Sequence, residues 1–350
     1  MPLTLASLSD LIDPPFDTII DVRSPSEFAE DRIPGAINLP VLSDEERARV
    51  GTIYSQVSAF DGRKIGGALV ARNTARHLED SLADRDGSWR PLVYCWRGGQ
   101  RSGFFASFLR EVGWRAETIT GGYQGYRRLV HDLLYGPALT HRIVLLDGNT
   151  GTAKTDILNL LPGMGVQSID LEGLARHRGS LLGSTGKAQP AQKAFESDLA
   201  SAIASLDPER PVILEAESSK IGRINLPPAL WAAMCRAPRI ELSAPLAERA
   251  TYTAGVYADQ LADVAGFTEL FQPLRRFRGH DVVDRWADLL AAGDQVGFVA
   301  AIMRDHYDPT YAKSRATRAP EVMARLEAAR LDSDGQLKIA AEVARRVRKI

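Results

Sequence analysis

Short apolar runs alternate with polar, helix-spaced stretches along the first third of the chain. Asp17–Arg23 (DTIIDVR), the tract PGAINLP and Pro91–Cys95 (PLVYC) have the length and side-chain types of strands. Such alternation predicts an α/β fold with a parallel sheet. From Ser102 to Val112, residues Phe104, Phe105, Phe108, Leu109 and Val112 recur at the spacing of one helix face. Cys95 is therefore expected between a strand end and a helix start.

The pattern starts afresh in the middle of the chain. TGGYQGYRRLV, around Gly121 and Gly122, reads as a turn entering a helix, and LLYGPALTHR as a linker. Ile143–Leu146 is then a buried-type strand, followed by a loop of small residues and a helix from about Lys154. PVILEAE (Pro211–Glu217) would add a second strand to that sheet, and beyond about Ala244 the pattern is mostly helical. The expected organisation is an α/β domain over residues 1–135, a second over 136–245, and a largely helical region over 246–350 packed on the second.

Composition narrows the classes. The chain has 350 residues, 45% hydrophobic and 25% charged, with a formal net charge of -1, so it is globular and no polycation that coats nucleic acid by bulk charge. Any RNA contact needs local patches, for which Arg127, Arg128, Arg275, Arg276 and Arg278 are candidates, with solvated helix faces as the plainer reading. Two cysteines cannot build a disulfide scaffold, and no signal-like or membrane-spanning run is seen. A cytoplasmic protein without membrane contact is expected.

The densest chemistry of the first domain is Cys95-Trp96-Arg97-Gly98-Gly99-Gln100-Arg101-Ser102. A loop curled over the sulfur would point backbone N–H groups and a helix N-terminus at one spot, stabilising a thiolate and an oxyanion beside it. Arg101 could clamp the oxyanion, and Gly98 and Gly99 would allow positive φ and close approach. Trp96 could equally stack on a base or pack in the core. With DVRSPSEF, RIPGAINLP and TGGY, this loop resembles the rhodanese family over roughly residues 1–130, which implies that Cys95 is a nucleophile carrying sulfur or selenium. Five residues separate Cys95 from Arg101, where simple sulfur-transfer rhodaneses usually have four. The roomier pocket resembles the loops of cysteine-dependent phosphatases and suits selenophosphate better than thiosulfate. Asp21 and Arg23 are expected to brace the first strand, and Cys235, which lacks such a loop, to pack in the core.

In the second domain Gly148-Asn149-Thr150-Gly151-Thr152-Ala153-Lys154-Thr155 follows a strand, opens a helix and nearly matches a Walker A loop. Ala153 replaces the usual glycine before the lysine. Glu215 or Glu217 is the candidate magnesium or acid/base carboxylate, with a sheet-edge role as the alternative, and magnesium would be held through Thr155. Lys187 and Lys220 read as ordinary exposed lysines. His306, Tyr307 and Asp308 in DHYDPTY read as a helix-ending Asp-Pro turn, with substrate contact as the minority reading.

Taken together, DVRSPSEF, VLSDEERARVGTIY, GGALVARN, YCWRGGQRSG, GGYQGYRR, DLEGLARHRGS, QKAFES, LEAESSKIG and HYDPTY resemble the tRNA 2-selenouridine synthase family across nearly the full chain. The resemblance implies a rhodanese-like domain followed by a P-loop NTPase-like domain, and a transferase acting on the anticodon stem-loop of tRNA. Wobble 2-thiouridine would be geranylated with geranyl diphosphate, and the S-geranyl group then replaced by selenium from selenophosphate, with magnesium as helper and a selenophosphate supplier as a further partner. The other reading left open is a nucleotide-dependent sulfurtransferase or kinase fused to a rhodanese domain and acting on a small molecule.

Overall fold

The computed structural model describes residues 2–136, 139–179, 186, 188–318 and 321–350. It forms two compact units, Met1–Gly136 with Pro190–Ser205, and Pro137–Gln189 with Leu206–Ile350. Both are α/β, with parallel sheets, as the sequence pattern predicts.

The first unit is built on strands β1 (Thr18–Asp21), β2 (Ile37–Asn38), β3 (Pro91–Tyr94) and β4 (Glu117–Thr118), in the order β2-β1-β3-β4. Every residue of β3 is buried, which is why the run PLVY is apolar without alternation. Around the sheet lie α1 (Pro25–Glu30), α2 (Asp44–Thr52), α3 (Ala59–Glu79), α4 (Gln100–Val112) and α5 (Gly122–Tyr135). Asp21 and Arg23 do brace β1: the Arg23 guanidinium donates to both carboxylate oxygens of Asp21 and, at 2.6 Å, to the Asp31 carbonyl, with both side chains buried. The helical face 102–112 splits. Phe105 and Leu109 enter the core, while Phe104, Phe108 and Val112 stay partly exposed.

The helix Gln192–Ala204 belongs to this first unit, although it follows the linker in sequence. It packs against α5 and carries the buried Glu196, which accepts hydrogen bonds from Tyr135 and from the Arg127 guanidinium.

The second unit has strands β5 (Ile143–Gly148), β6 (Gln167–Ile169), β7 (Val212–Glu215), β10 (Arg239–Ser243) and β11 (Val322–Glu327), ordered β11-β10-β5-β7-β6; β8 (Lys220–Ile221) and β9 (Ile224–Asn225) form a separate hairpin. Strand order reverses beside β5, which opens a crevice at the carboxyl ends of the strands, where α6 (Lys154–Leu160) and α7 (Leu171–Ala175) begin. β11 lies in the stretch that reads as helical. Its residues VMARLE favour helix locally, but pairing with β10 and cover from the helix Ser333–Val347 override that preference. Residues from Leu246 to Tyr307 form a helical layer with its own core around Phe271, Trp286 and Phe298. No helix among the described residues is long and apolar enough to cross a membrane.

Candidate active sites on two loops

Cys95 follows β3 directly, and α4 starts five residues later, so the sulfur lies at the floor of a strand-to-helix loop. Glycines shape it. Gly98 has φ +65°, and a Cβ there would come within 2.5 Å of the Ile119 carbonyl; a Cβ on Gly122 would collide with the Cys95 carbonyl. The TGGY turn thus packs on the cysteine loop, and Tyr123 and Gln124 donate backbone N–H groups to the carbonyls of Cys95 and Trp96 at 2.8 and 3.0 Å. Trp96 is half-buried, its ring 5.2 Å from that of Tyr123. Gly99 and Gln100 are exposed on the loop crest, and Arg97 donates to the Gln124 side chain at 3.0 Å.

Cys95 is only 3% exposed, and burial alone would raise its thiol. Hydrogen bonds from the Ser102 side chain and backbone, the Arg101 charge and the Gly99 N–H outweigh burial and lower it, which favours the thiolate. The Ser102 hydroxyl donates to the sulfur at 3.2 Å. Arg101 reaches Glu27 at 3.2 Å, so a bound anion would compete with that carboxylate for it. Glu27 is held by the Ser24–Glu27 capping box, and burial, which would raise its carboxyl, is outweighed chiefly by Arg101, which lowers it. Glu27 does not stand out in the sequence pattern, and Ser102 closes the cysteine segment without a role assigned to it there. The signal for Ser102 is a hydroxyl next to the loop arginine; for Glu27 it is the capping box in SPSEF.

The second loop runs from Gly148 at the end of β5 to Thr155 in α6. Gly151 has φ +80° and is hemmed in by Thr253 and Met303, while Ala153 occupies the left-handed region at φ 55°, a mildly strained position for a residue with a Cβ. Lys154 curls back onto the loop, donating to the Gly148 carbonyl at 3.0 Å, and Asn149 accepts a hydrogen bond from the Thr152 hydroxyl at 2.9 Å. Arg249 props the loop from behind: it donates to the Thr150 carbonyl at 3.2 Å and to both carboxylate oxygens of Asp308 at 2.9 and 2.8 Å.

A cavity of about 660 Å³ opens over this loop, lined by Lys154, Thr155, Glu172, Arg176, Arg178 and Glu217 among others. Glu215 is placed differently from Glu217. It is fully buried beneath α7 and accepts the Leu171 N–H at 3.0 Å, and burial first, then the charges of Asp170 and Glu172, push its carboxyl well up. Burial thus sets Glu215 apart from the cavity, whereas Glu217 lines it. Glu172, from DLEGLARHRGS, is a site residue that the sequence pattern does not mark. It accepts from the Thr155 hydroxyl at 3.2 Å, and burial and then the neighbouring Glu217 push it up to about 8. Two carboxylates crowded beside a loop hydroxyl fit magnesium, which takes one or two carboxylates and completes its shell with phosphate oxygens and water.

Other expectations change. Cys235 is exposed rather than in the core, because the helix Pro228–Arg236 buries Leu230 and Met234 and turns its last residues to solvent. Asp308-Pro309 does not end a helix: Gln295–Ile302 runs through the π-helical turn Met303–Tyr307 straight into Asp308–Arg318, and the wider turn accommodates a proline that has no N–H to donate. Among the arginine candidates, Arg127 is committed to Glu196 and Asp31, Arg275 to Asp284, and Arg278 to His306 and Thr310. Arg128 and Arg276 are exposed. Lys220 is exposed, and Lys187 lies outside the described residues.

A cysteine loop on one parallel sheet and a phosphate-type loop on another define a two-unit protein, rhodanese-like in its first unit and P-loop-like in its second. The rhodanese-like domain model matches residues 4–129, and the model of the tRNA 2-selenouridine synthase AAA domain matches residues 141–277. The tRNA 2-selenouridine synthase of Cupriavidus pinatubonensis is 33% identical, over 88% of this chain and 91% of its own; that of Hahella chejuensis is 32% identical over 89% of each. The Marinobacter nauticus protein of the same name is 33% identical over 88% of this chain and 90% of its own. The chain belongs to the tRNA 2-selenouridine synthase family.

Proposed function

We propose that this protein converts wobble 2-thiouridine, in the anticodon stem-loop of tRNA, to 2-selenouridine in two stages served by the two loops. In the first, the base sulfur attacks the first carbon of geranyl diphosphate. The C–S bond forms as the C–O bond breaks, diphosphate leaves with the electron pair, and the N3 proton of the base passes to solvent. The Gly148–Thr155 loop supports this reading, since its backbone and Lys154 suit a leaving diphosphate without nucleotide hydrolysis. Thr155, Glu172 and Glu217 would hold magnesium, which supplies charge neutralisation to the leaving group.

In the second stage selenium of selenophosphate bonds to C2 of the uracil ring, and geranyl thiolate departs with the C–S pair and takes up a proton. The Se–P bond is then cut by the Cys95 thiolate attacking phosphorus; selenium keeps the electron pair as 2-selenouridine, and water hydrolyses the cysteinyl phosphate. Selenium in selenophosphate is already fully reduced, so parking it on Cys95 as a perselenide would demand an oxidant, whereas attack on phosphorus demands none. The observation that carries this assignment is the acidified Cys95, bonded by Ser102 beneath a loop with Arg101 at its far end.

Mass spectrometry of tRNA nucleosides tests the scheme. Geranyl diphosphate alone should give S-geranyl-2-thiouridine, and both donors together 2-selenouridine. Cys95→Ala should halt at the geranylated base, and Lys154→Ala should slow the first stage. Loss of both activities in folded Cys95→Ala, or selenation without geranyl diphosphate, would contradict the division of labour.

A further inference from the structure

The first unit holds a cavity of about 810 Å³ that neither stage has yet used. Its walls are α3 with the π-helical turn Ile53–Val57 on one side and the outer face of α4 on the other. Val50, Tyr54, Val70, Phe104 and Phe108 supply an apolar surface, and the volume is that of an ordinary small-molecule pocket. Phe104 and Phe108 lie with ring centroids 5.0 Å apart and are 37% and 38% exposed, a sizeable apolar surface left facing solvent. Glycine also shapes one wall. A Cβ on Gly62 would come within 2.7 Å of the Tyr54 backbone, so glycine lets α3 and the turn close into one wall. Gly67 and Gly103 also line the cavity, but a Cβ on either meets nothing within 4 Å.

What ties this space to chemistry is its inner edge. Gln100 and Arg101, which open α4 where the cysteine loop ends, line the cavity. An occupant that reaches both must be apolar along most of its length and carry its reacting group at one end, beside the loop.

We propose that this cavity receives the prenyl chain of the S-alkylated uridine while the base faces the cysteine loop. The inference rests on the two-stage reading and extends it: the chain serves as a handle by which the selenation unit selects the activated base over unmodified 2-thiouridine. The same burial keeps the departing thiolate's chain out of water until selenium has bonded to C2. The tract GGALVARN, which contains Gly66, Gly67 and Val70, thereby acquires a role as part of the chain's seat.

The test uses full-length protein and synthetic anticodon stem-loops bearing 2-thiouridine, its S-methyl derivative or its S-geranyl derivative at the wobble position. Wild type should bind the S-geranyl RNA at least about tenfold more tightly than the S-methyl RNA, since apolar burial scales with chain length. Gly67→Leu and Gly103→Leu, which push a side chain into the cavity without a backbone clash, should cut that preference below about threefold and leave S-methyl affinity unchanged. Selenouridine yield from the S-geranyl RNA should fall in parallel. Were both variants to keep the wild-type preference while still converting S-geranyl RNA, the cavity assignment alone would be overturned. Were wild type unable to selenate S-geranyl RNA at all, the two-stage reading itself would fail.

Discussion

Replacing Ser102 by alanine removes one hydrogen bond from the sulfur of Cys95, together with the hydroxyl's 3.3 Å contact to the Gly99 carbonyl. The bond is 3.2 Å long, and Ser102 is fully buried. A hydrogen bond to a charged group contributes roughly 1.5–3 kcal/mol, and about 1.4 kcal/mol corresponds to one pKa unit. Because the backbone N–H groups of Ser102 and Gly99 and the charge of Arg101 stay in place, the lower end applies, and the thiol should rise. The sign follows from the charge. Losing a donor penalises the thiolate, so below the new midpoint its population falls about tenfold and the selenation stage slows with it. Thiolate absorbance against pH measures this directly in a Cys235→Ala background, which leaves Cys95 as the one cysteine of the chain. Ser102→Thr keeps the hydroxyl and should titrate near the parent. A midpoint for Ser102→Ala indistinguishable from the parent would refute the reasoning, since the sulfur would then owe its acidity to groups other than this hydroxyl.

Two further outcomes follow from the ion pairs. Arg239→Met strands the carboxylate of Asp147 inside the second unit, where the pair now lies buried at 2.7 Å, and should cost about 3–5 kcal/mol in urea unfolding; Asp147→Leu in addition should recover part of that loss, and an unchanged midpoint for the single variant would show that the pair contributes nothing. Arg127→Ala should destabilise the first unit by leaving the buried Glu196 without its cation, with little change in tRNA affinity, whereas Arg276→Ala should weaken tRNA binding and lower its salt dependence while leaving stability intact; the reverse assignment in filter binding and thermal unfolding would count against reading Arg127 as a structural strut.

The order of apolar runs sufficed to place the cysteine and phosphate-type loops, because a strand buried on both faces and a glycine-rich turn into a helix each leave a local signature at fixed spacing. The places of Cys95, Arg101, Lys154 and Thr155 in the fold were legible for that reason. The partners that tune them were not. Ser102 and Glu27 act on the cysteine loop, and Glu172 and Arg249 on the second loop, through contacts that depend on how chain segments far apart or on different elements meet. Glu215 and Glu217 look interchangeable as letters, but the packed sheet buries the first beneath α7 and leaves the second, past the strand end, at the cavity. The strand β11 and the docking of Gln192–Ala204 on the first unit also escaped, since local propensity and chain order carry no record of the surface a segment will cover. The sequence by itself determined which reactive groups each loop carries; the tertiary structure alone decided which charges surround them and which apolar faces remain unfilled, because burial and proximity are properties of the packed chain and not of any stretch of it.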